Sequence, residues 1–502
     1  MLGKILLKAF SISKSSSLSV NQTMTHYPTR RQILSHASSG FGMLALAGLM
    51  ANDNTLSATG PADAAAQKLR KPHFAARAKH VIFCYMSGGV SQVDTFDPKP
   101  RLVKDAGKPV PFKANRTQFN QNGTLMPSHW AFNKHGESGL EISALLPHLA
   151  TCADDLAIVR SMTATFSEHA QGNFFMHSGF PFMGHPSAGA WVTYGLGSIN
   201  RNLPGFVVLG SGGSTLPHGG IPLFSNGYLP AYHQATQVNL DAKDPIPNIT
   251  PRDIASQQQM RLAFIKQQDK RFLTATNDDD QVDSAIKNYE MAYRMQSAVP
   301  ELVDLSGESK ATMEMYGVYD SDAKTGHYAR QCLLARRLVE RGVRFIELSC
   351  LSYGIGGGGA ANPWDNHGNI KQGHGKMGHQ IDQPIAGLIK DLKQRDLLKD
   401  TLIIFTGEFG RTPFAQGSNG RDHDPYGFSI FMAGGGIRGG TAYGATDEFG
   451  YHAVENKTSV YDMWATTLYL LGLDHLDLTY RSGGRDMRLT DVHGNVIHDI
   501  VS

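Results

Sequence analysis

The sequence predicts an α/β fold with a doubly wound, mostly parallel sheet flanked by helices. Three observations predict it. Short, unbroken apolar runs recur along the chain, and each stops abruptly at a glycine turn. A strand buried on both faces reads in this way. Between two of the runs, Ile381, Ile385, Leu388, Ile389 and Leu392 fall at the three-to-four spacing of an amphipathic helix. Acidic and imidazole side chains gather just beyond the runs. Strands alternating with such helices give a parallel sheet.

The elements follow in chain order. Arg30 and Arg31 lie in Thr29-Arg30-Arg31-Gln32-Ile33-Leu34, ahead of a small-residue apolar stretch, Phe41-Gly42-Met43-Leu44-Ala45-Leu46-Ala47-Gly48-Leu49-Met50. A basic region before an apolar region of this length reads as an export signal. The paired arginines specify the twin-arginine route, whose signals are addresses read by a receptor. The stretch is too short and glycine-rich to span a bilayer, which takes about 20 apolar residues. Residues 1–58 are therefore expected to engage the twin-arginine translocase and to be removed. The expected product is periplasmic or secreted, with no transmembrane helix in the mature chain. Residues 59–72, small and alanine-rich, read as a linker, and 73–502 as the folded domain.

Within that domain the first strand is expected at His80-Val81-Ile82-Phe83-Cys84-Tyr85-Met86, entering Ser87-Gly88-Gly89. A second, at 343–348, leads to the glycine-rich loop 354–359 and Trp364-Asp365-Asn366-His367-Gly368. A third, at 401–406, leads to Gly407-Glu408-Phe409-Gly410-Arg411. A fourth, at 428–433, leads to Gly434-Gly435-Gly436. Residues 250–342 are polar and helix-rich, and read as a helical excursion packed on the sheet.

The formal charge of +3 comes from the signal, which carries Lys4, Lys8, Lys14, Arg30 and Arg31 against Asp53. Without it the chain is slightly acidic, so the sequence offers no footprint for nucleic-acid binding. Cys84, Cys152, Cys332 and Cys350 are widely spaced and form no CxxC pair, so buried thiols are expected in place of a disulfide framework. The 21 histidines are the unusual count, and many cluster in a few short segments.

In open parallel sheets the ligand site lies beyond the carboxyl ends of the strands. Asp94 follows the first strand, Asp365 and His367 the second, and Glu408 with Arg411 the third, while His423 precedes the fourth. Oxygen and nitrogen donors converging from separate strand ends suit a divalent metal such as Zn, Mn, Mg or Ca. Two ions about 4 Å apart would clamp both oxygens of an in-line displacement. Each residue also has a plainer reading. Asp94 would cap a helix, Glu408 would pair with Arg411, and Asp365, His367 and His423 would bond loop backbone. A further group, Arg160 with Ser167-Glu168-His169, reads as polar residues opening a helix toward an anion. Arg160 and His169 are its candidates, and His177 reads as a packed helix residue. His374 and His379 divide evenly between site and surface. His218, in Leu216-Pro217-His218-Gly219-Gly220, is a candidate for a substrate loop.

Taken together, the segments 87–100, 186–197, Trp364-Asp365-Asn366-His367-Gly368, 406–413, Gly420-Arg421-Asp422-His423 and 434–440 resemble a bacterial family. It is the one catalogued as domain of unknown function 1501, twin-arginine-exported relatives of sulfatases and alkaline phosphatases. The resemblance implies an alkaline-phosphatase-like core and a hydrolytic site of one or two ions. By position, Asp94 looks like the first-strand ligand, and Asp365, His367 and His423 like one ion's set. Glu408 takes the place of an aspartate in a Ser-Asp-His-Gly turn, and Phe409 stands where that turn has a histidine ligand. His169 falls at the nucleophile position, where no Cys, Ser or Thr occurs, so formylglycine chemistry is not expected. His169 is left either to ligate metal or to attack phosphorus. The expected function is an exported, metal-dependent hydrolase of sulfate or phosphate esters of small molecules or glycans, with Arg160, His169 and Arg411 in catalysis. The alternatives are a catalytically altered binding or assembly protein and a phosphomutase-like transferase.

Overall fold

Every residue of His80–Tyr85 (β1) is buried, as its unbroken apolar run requires. The computed structural model describes residues 70–502 apart from 117, 118, 120, 248, 252, 253, 277–279 and 358. The expected export signal, residues 1–58, and most of the expected linker lie outside the described residues. β1 is central to a nine-stranded sheet completed by Leu156–Thr163 (β2), Phe206–Gly210 (β3), Thr236–Asn239 (β4), Phe345–Ser349 (β5), Thr401–Thr406 (β6), Phe428–Ala433 (β7), Thr441–Tyr443 (β8) and the short Thr458–Ser459. The order is β8-β2-β7-β6-β1-β5-β3-β4, with Thr458–Ser459 also on β2. β6, β1, β5, β3 and β4 run parallel, with Val81 opposite both Phe345 and Leu402. β7 is antiparallel to both of its neighbours.

Alternation along the strands divides the core into two layers. Ile82, Cys84, Ile346, Leu348, Ile403 and Phe405 share one apolar cluster with the helices Ala323–Glu340 (α1) and Ile370–Gln394 (α2). Val81, Phe83, Phe345, Leu402 and Ile404 share the other with Trp191 and Trp464, from the helices Ala188–Leu196 and Val460–Leu470. Helices therefore cover both faces, and the sheet is doubly wound. On α2, Ile381, Ile385, Leu388, Ile389 and Leu392 are fully buried. All four cysteines are free and buried. Among the described residues no helix is long and apolar enough to cross a membrane.

Two departures matter for the site. Arg160 lies within β2, whose Leu156-Ala157-Ile158-Val159 run continues as strand, and only Glu168 and His169 open a helix, His169–Ser178. There the Glu168 side chain accepts the Gln171 N–H, a cap that fixes the first turn. The segment after Glu408 is a hairpin, Gly410–Gln416 with Gly420–Asp424, extended by Asn122–Leu125. In the helix-rich excursion, α1 is well buried, but the helix Ala255–Ala275 buries no residue at all. Its apolar residues include the exposed Met260, Phe264 and Phe272, so it does not present a face packed on the sheet.

Candidate metal centre

Three segments end at the carboxyl edge of the parallel strands. β1 ends in Ser87-Gly88-Gly89, β6 in Gly407-Glu408-Phe409, and β5 in the loop that carries Asp365 and His367. Gly88, at φ +108°, passes so close to this loop that a Cβ would lie 2.5 Å from the Asp365 nitrogen. Gly420 on the hairpin passes against the His367 carbonyl in the same way. The loop is thus wedged between two backbones that only glycine permits to approach.

One donor atom each from His169, Asp365, His367 and His423 lies within 4.8 Å of all the others. The Nε2 atoms of His367 and His423 stand 2.8 and 3.2 Å from Asp365 Oδ1. That of His169 stands 3.2 Å from Oδ2, a charge contact that completes no hydrogen bond. On the far side of each ring, Nδ1–H donates to an acceptor that cannot itself donate from that atom. His169 donates to Glu408 Oε1 at 2.6 Å, His423 to the Ser167 carbonyl at 2.5 Å, and His367 to Gln416 Oε1. An imidazole whose Nδ1 carries the proton presents an unprotonated Nε2 when neutral. Three such nitrogens therefore converge on one carboxylate, and those of His367 and His423 are only 3.1 Å apart. Bare lone pairs in that arrangement repel unless a proton or a cation sits among them. The residues present therefore fit a divalent ion, and a three-nitrogen, one-oxygen set suits zinc in particular.

The electrostatics agree. Burial raises the Asp365 carboxyl, but Arg411 and the three imidazoles outweigh it and hold it well below the usual carboxylate range. Burial lowers His169, yet Asp365 and Glu408 raise it overall to about 9. Burial, with Arg411, takes His423 down to about 3. A proton held on His169 next to Asp365 is one that an arriving cation would displace.

The other candidates take different places. Glu408 sits behind His169. Its oxygens accept the Gly88 N–H at 2.9 and 3.0 Å as well as the His169 proton, and it is fully buried. Phe409 stacks on His423 at 4.4 Å between ring centres and lies 5.2 Å from His169. Arg411, fully buried, donates to Asp365 Oδ1 at 2.6 Å and to the carbonyls of Gly88, Gly89 and Arg421. It orients Asp365. Asp94 is outside the four-donor group, held by Arg421 at 2.8 Å and by the Ser91 hydroxyl at 2.6 Å. Arg160 Nε donates to the Phe96 carbonyl at 2.8 Å. His177 pairs with Glu347 in the core at 2.9 Å, and buried His374 accepts the Ser91 N–H at 3.1 Å. Gln416, Arg421 and Asn173 were not singled out from the sequence. Each acts through a partner far away in the chain, so no local pattern marks it.

The fold and this cluster define an α/β protein with a His₃Asp group, fit to hold a metal ion, at the carboxyl edge of its sheet. The chain belongs to the family described as "Protein of unknown function (DUF1501)", whose model matches residues 78–501. No curated protein matches it in sequence. Among solved structures, it is similar to a sulfatase from Pseudoalteromonas sp. at 12% identity and TM-score 0.34, covering 87% of this chain and 72% of that one. It is also similar to the lipoteichoic acid synthase LtaP from Listeria monocytogenes at 9% and 0.33, covering 85% and 78%. A third is the alkaline phosphatase from the Antarctic bacterium TAB5, at 9% and 0.29, covering 72% and 92%.

Proposed function

We propose that the protein is a metal-dependent hydrolase of sulfate or phosphate esters, acting in the periplasm or outside the cell. The observation that carries this reading is the convergence of three imidazoles, each held through Nδ1, on Asp365. His169, Asp365, His367 and His423 would hold one divalent ion, zinc before Mn, Mg or Ca on donor chemistry. Such an ion polarises an ester oxygen and acidifies water. Glu408 fixes the tautomer and direction of His169, and Arg411 keeps Asp365 ionised and in place. His169 is one of the four donors, so it serves as a ligand and water is the attacking group.

A second reading rests on the donor count. Four protein donors can close a tetrahedral zinc site, and a closed site marks a structural metal in a binding or assembly protein. Elemental analysis of the purified protein followed by a screen of aryl sulfate and aryl phosphate esters separates the two. About one equivalent of metal with turnover that disappears on chelation is the expected result. A full metal site with no turnover on either ester class favours the binding protein, and protein free of metal after growth with zinc sinks both readings.

Export belongs to the same proposal. Replacing Arg30 and Arg31 with lysine is expected to leave the protein in the cytoplasmic fraction, and unchanged export would remove the twin-arginine route.

A further inference from the structure

His218, the candidate for a substrate loop, borders the cluster with its ring 5.9 Å from that of His169, and its Nδ1 lies 3.1 Å from the buried Asn362 amide. Phe119 borders it in a different way. Its ring meets that of His367 edge to face at 4.6 Å and lies 6.5 Å from that of His423, yet the residue is 51% exposed. A single exposed phenylalanine calls for no explanation by itself. The place of this one does. His367 is the most accessible of the four donors, its side chain 17% exposed against 11% for Asp365, 10% for His169 and 1% for His423. An ester arriving from solvent therefore meets the cluster on the His367 side, where Phe119 stands.

The chain that carries Phe119 is fastened to the hairpin that carries His423 and to the residues beyond it. The Phe119 N–H donates to Asp422 Oδ2 at 3.1 Å, one residue before His423. The Tyr426 hydroxyl donates to the Arg116 carbonyl at 3.1 Å, and the Asn115 N–H donates to the Tyr451 hydroxyl at 2.9 Å. Phe112 packs against Phe414, Phe449 and Tyr451. The backbone is thus held at several points, and it holds a bare apolar ring beside a group of charged and polar donors. Such a ring offers nothing to the oxygens of a sulfate or phosphate. Its surface suits the remainder of the ester, which is within reach when the anion lies at the donors.

We propose that Phe119 is a specificity-determining residue on which a ring carried by the substrate docks, so that the substrates are sulfate or phosphate esters of ring-bearing alcohols or phenols. This assignment rests on the metal-centre reading above. Water is a poor partner for the exposed face of Phe119, and an aryl ring displaces it in the offset or edge-to-face arrangements that aromatic pairs adopt. The C–H face of a sugar ring displaces it by apolar contact.

The test uses zinc-loaded wild type, Phe119→Ala and Phe119→Tyr, titrated by calorimetry with methanesulfonate, benzenesulfonate and a sulfonated deoxyglucose. In all three sulfonates sulfur is bonded to carbon, so binding is read without hydrolysis. Metal content and melting temperature are measured alongside. Wild type is expected to bind at least one ring-bearing sulfonate about fivefold or more tighter than methanesulfonate. Phe119→Ala should lose that margin with zinc, melting temperature and methanesulfonate binding unchanged, and Phe119→Tyr should keep it. A margin for benzenesulfonate alone assigns an aryl ring, and one for the sugar alone a sugar ring. A zinc-loaded wild type that binds all three alike, or none, overturns the assignment. So does a Phe119→Ala variant that keeps the margin, or one that weakens methanesulfonate by the same factor, since Phe119 would then act on the donors and not on a ring. Protein that takes up no zinc removes the metal-centre reading and this assignment with it. A ring preference in zinc-loaded protein that turns over no ester leaves Phe119 assigned and ends the hydrolase reading.

Discussion

Asp365→Ala is expected to release the metal and abolish ester hydrolysis together, with metal affinity falling about a thousandfold or more, or about 4 kcal/mol. Asp365 is the group on which all three Nε2 atoms converge, so nothing else in the cluster replaces its charge. The same change leaves Arg411 buried without its carboxylate, which is itself destabilising. His367→Ala separates the two effects, because this more accessible ring can be lost with less harm to the core. It should lose metal with little change in melting temperature. Glu408→Gln removes only the carboxylate behind His169, and a supporting partner of this kind is worth about 10- to 100-fold in metal affinity. If Glu408→Gln stripped the metal as completely as Asp365→Ala, Glu408 would have to be a direct ligand. Metal retained in full by Asp365→Ala would end the metal-centre argument.

Arg421→Met is expected to cost about 3–5 kcal/mol of stability, since it strands the Asp94 carboxylate in the core. Both partners of this pair are fully buried. Arg421 also donates to the carbonyls of Thr412, Met126 and Pro127 at 3.0 to 3.2 Å, tying the hairpin to the strand end. The double variant Asp94→Asn with Arg421→Met, which removes both charges, should melt at a higher temperature than the single one. Burial raises the Asp94 carboxyl, but Arg421, the Ser91 hydroxyl and His374 outweigh it and leave it below its ordinary value. The pair's contribution is therefore complete above about pH 4, where the unfolded carboxyl is ionised, and is lost as pH falls through the lower folded value. An unchanged melting temperature for Arg421→Met at neutral pH would show that the pair does not hold this edge.

The strands at 80–85, 401–406 and 428–433 were legible because each is buried on both faces and so reads as one apolar run. β2 is less legible, because Arg160 and Ser161 interrupt its apolar run. The hairpin 410–424 was not legible. Its strands are buried entirely, yet apart from Phe414 and Ala415 they consist of Gly, Arg, Thr, Pro, Gln, Asp and His, and the partners of several of these lie elsewhere in the chain. The same fact explains Asp94. Its place after the first strand looks like a ligand's, but its cation lies 327 residues away and occupies both oxygens. Residue type and position near the strand ends pointed to Asp365, His367 and His423, and the polar residues opening a helix pointed to His169. Which nitrogen each imidazole offers could not be read in the same way, because that depends on Glu408, Gln416 and the Ser167 carbonyl.

Phe409 bears on which esters such a centre would accept. Its ring lies against His423 and His169 and brings no charge to the proposed ion. Asp365 and Glu408 are negative, Arg411 is positive, and the three imidazoles are neutral when they ligate. With a divalent cation added, this inner region carries a single positive charge. A sulfate monoester or a phosphate diester also carries one negative charge, whereas a phosphate monoester carries nearly two at neutral pH. On this reading the centre selects by net charge before it distinguishes sulfur from phosphorus, and monoanionic esters are its best electrostatic match.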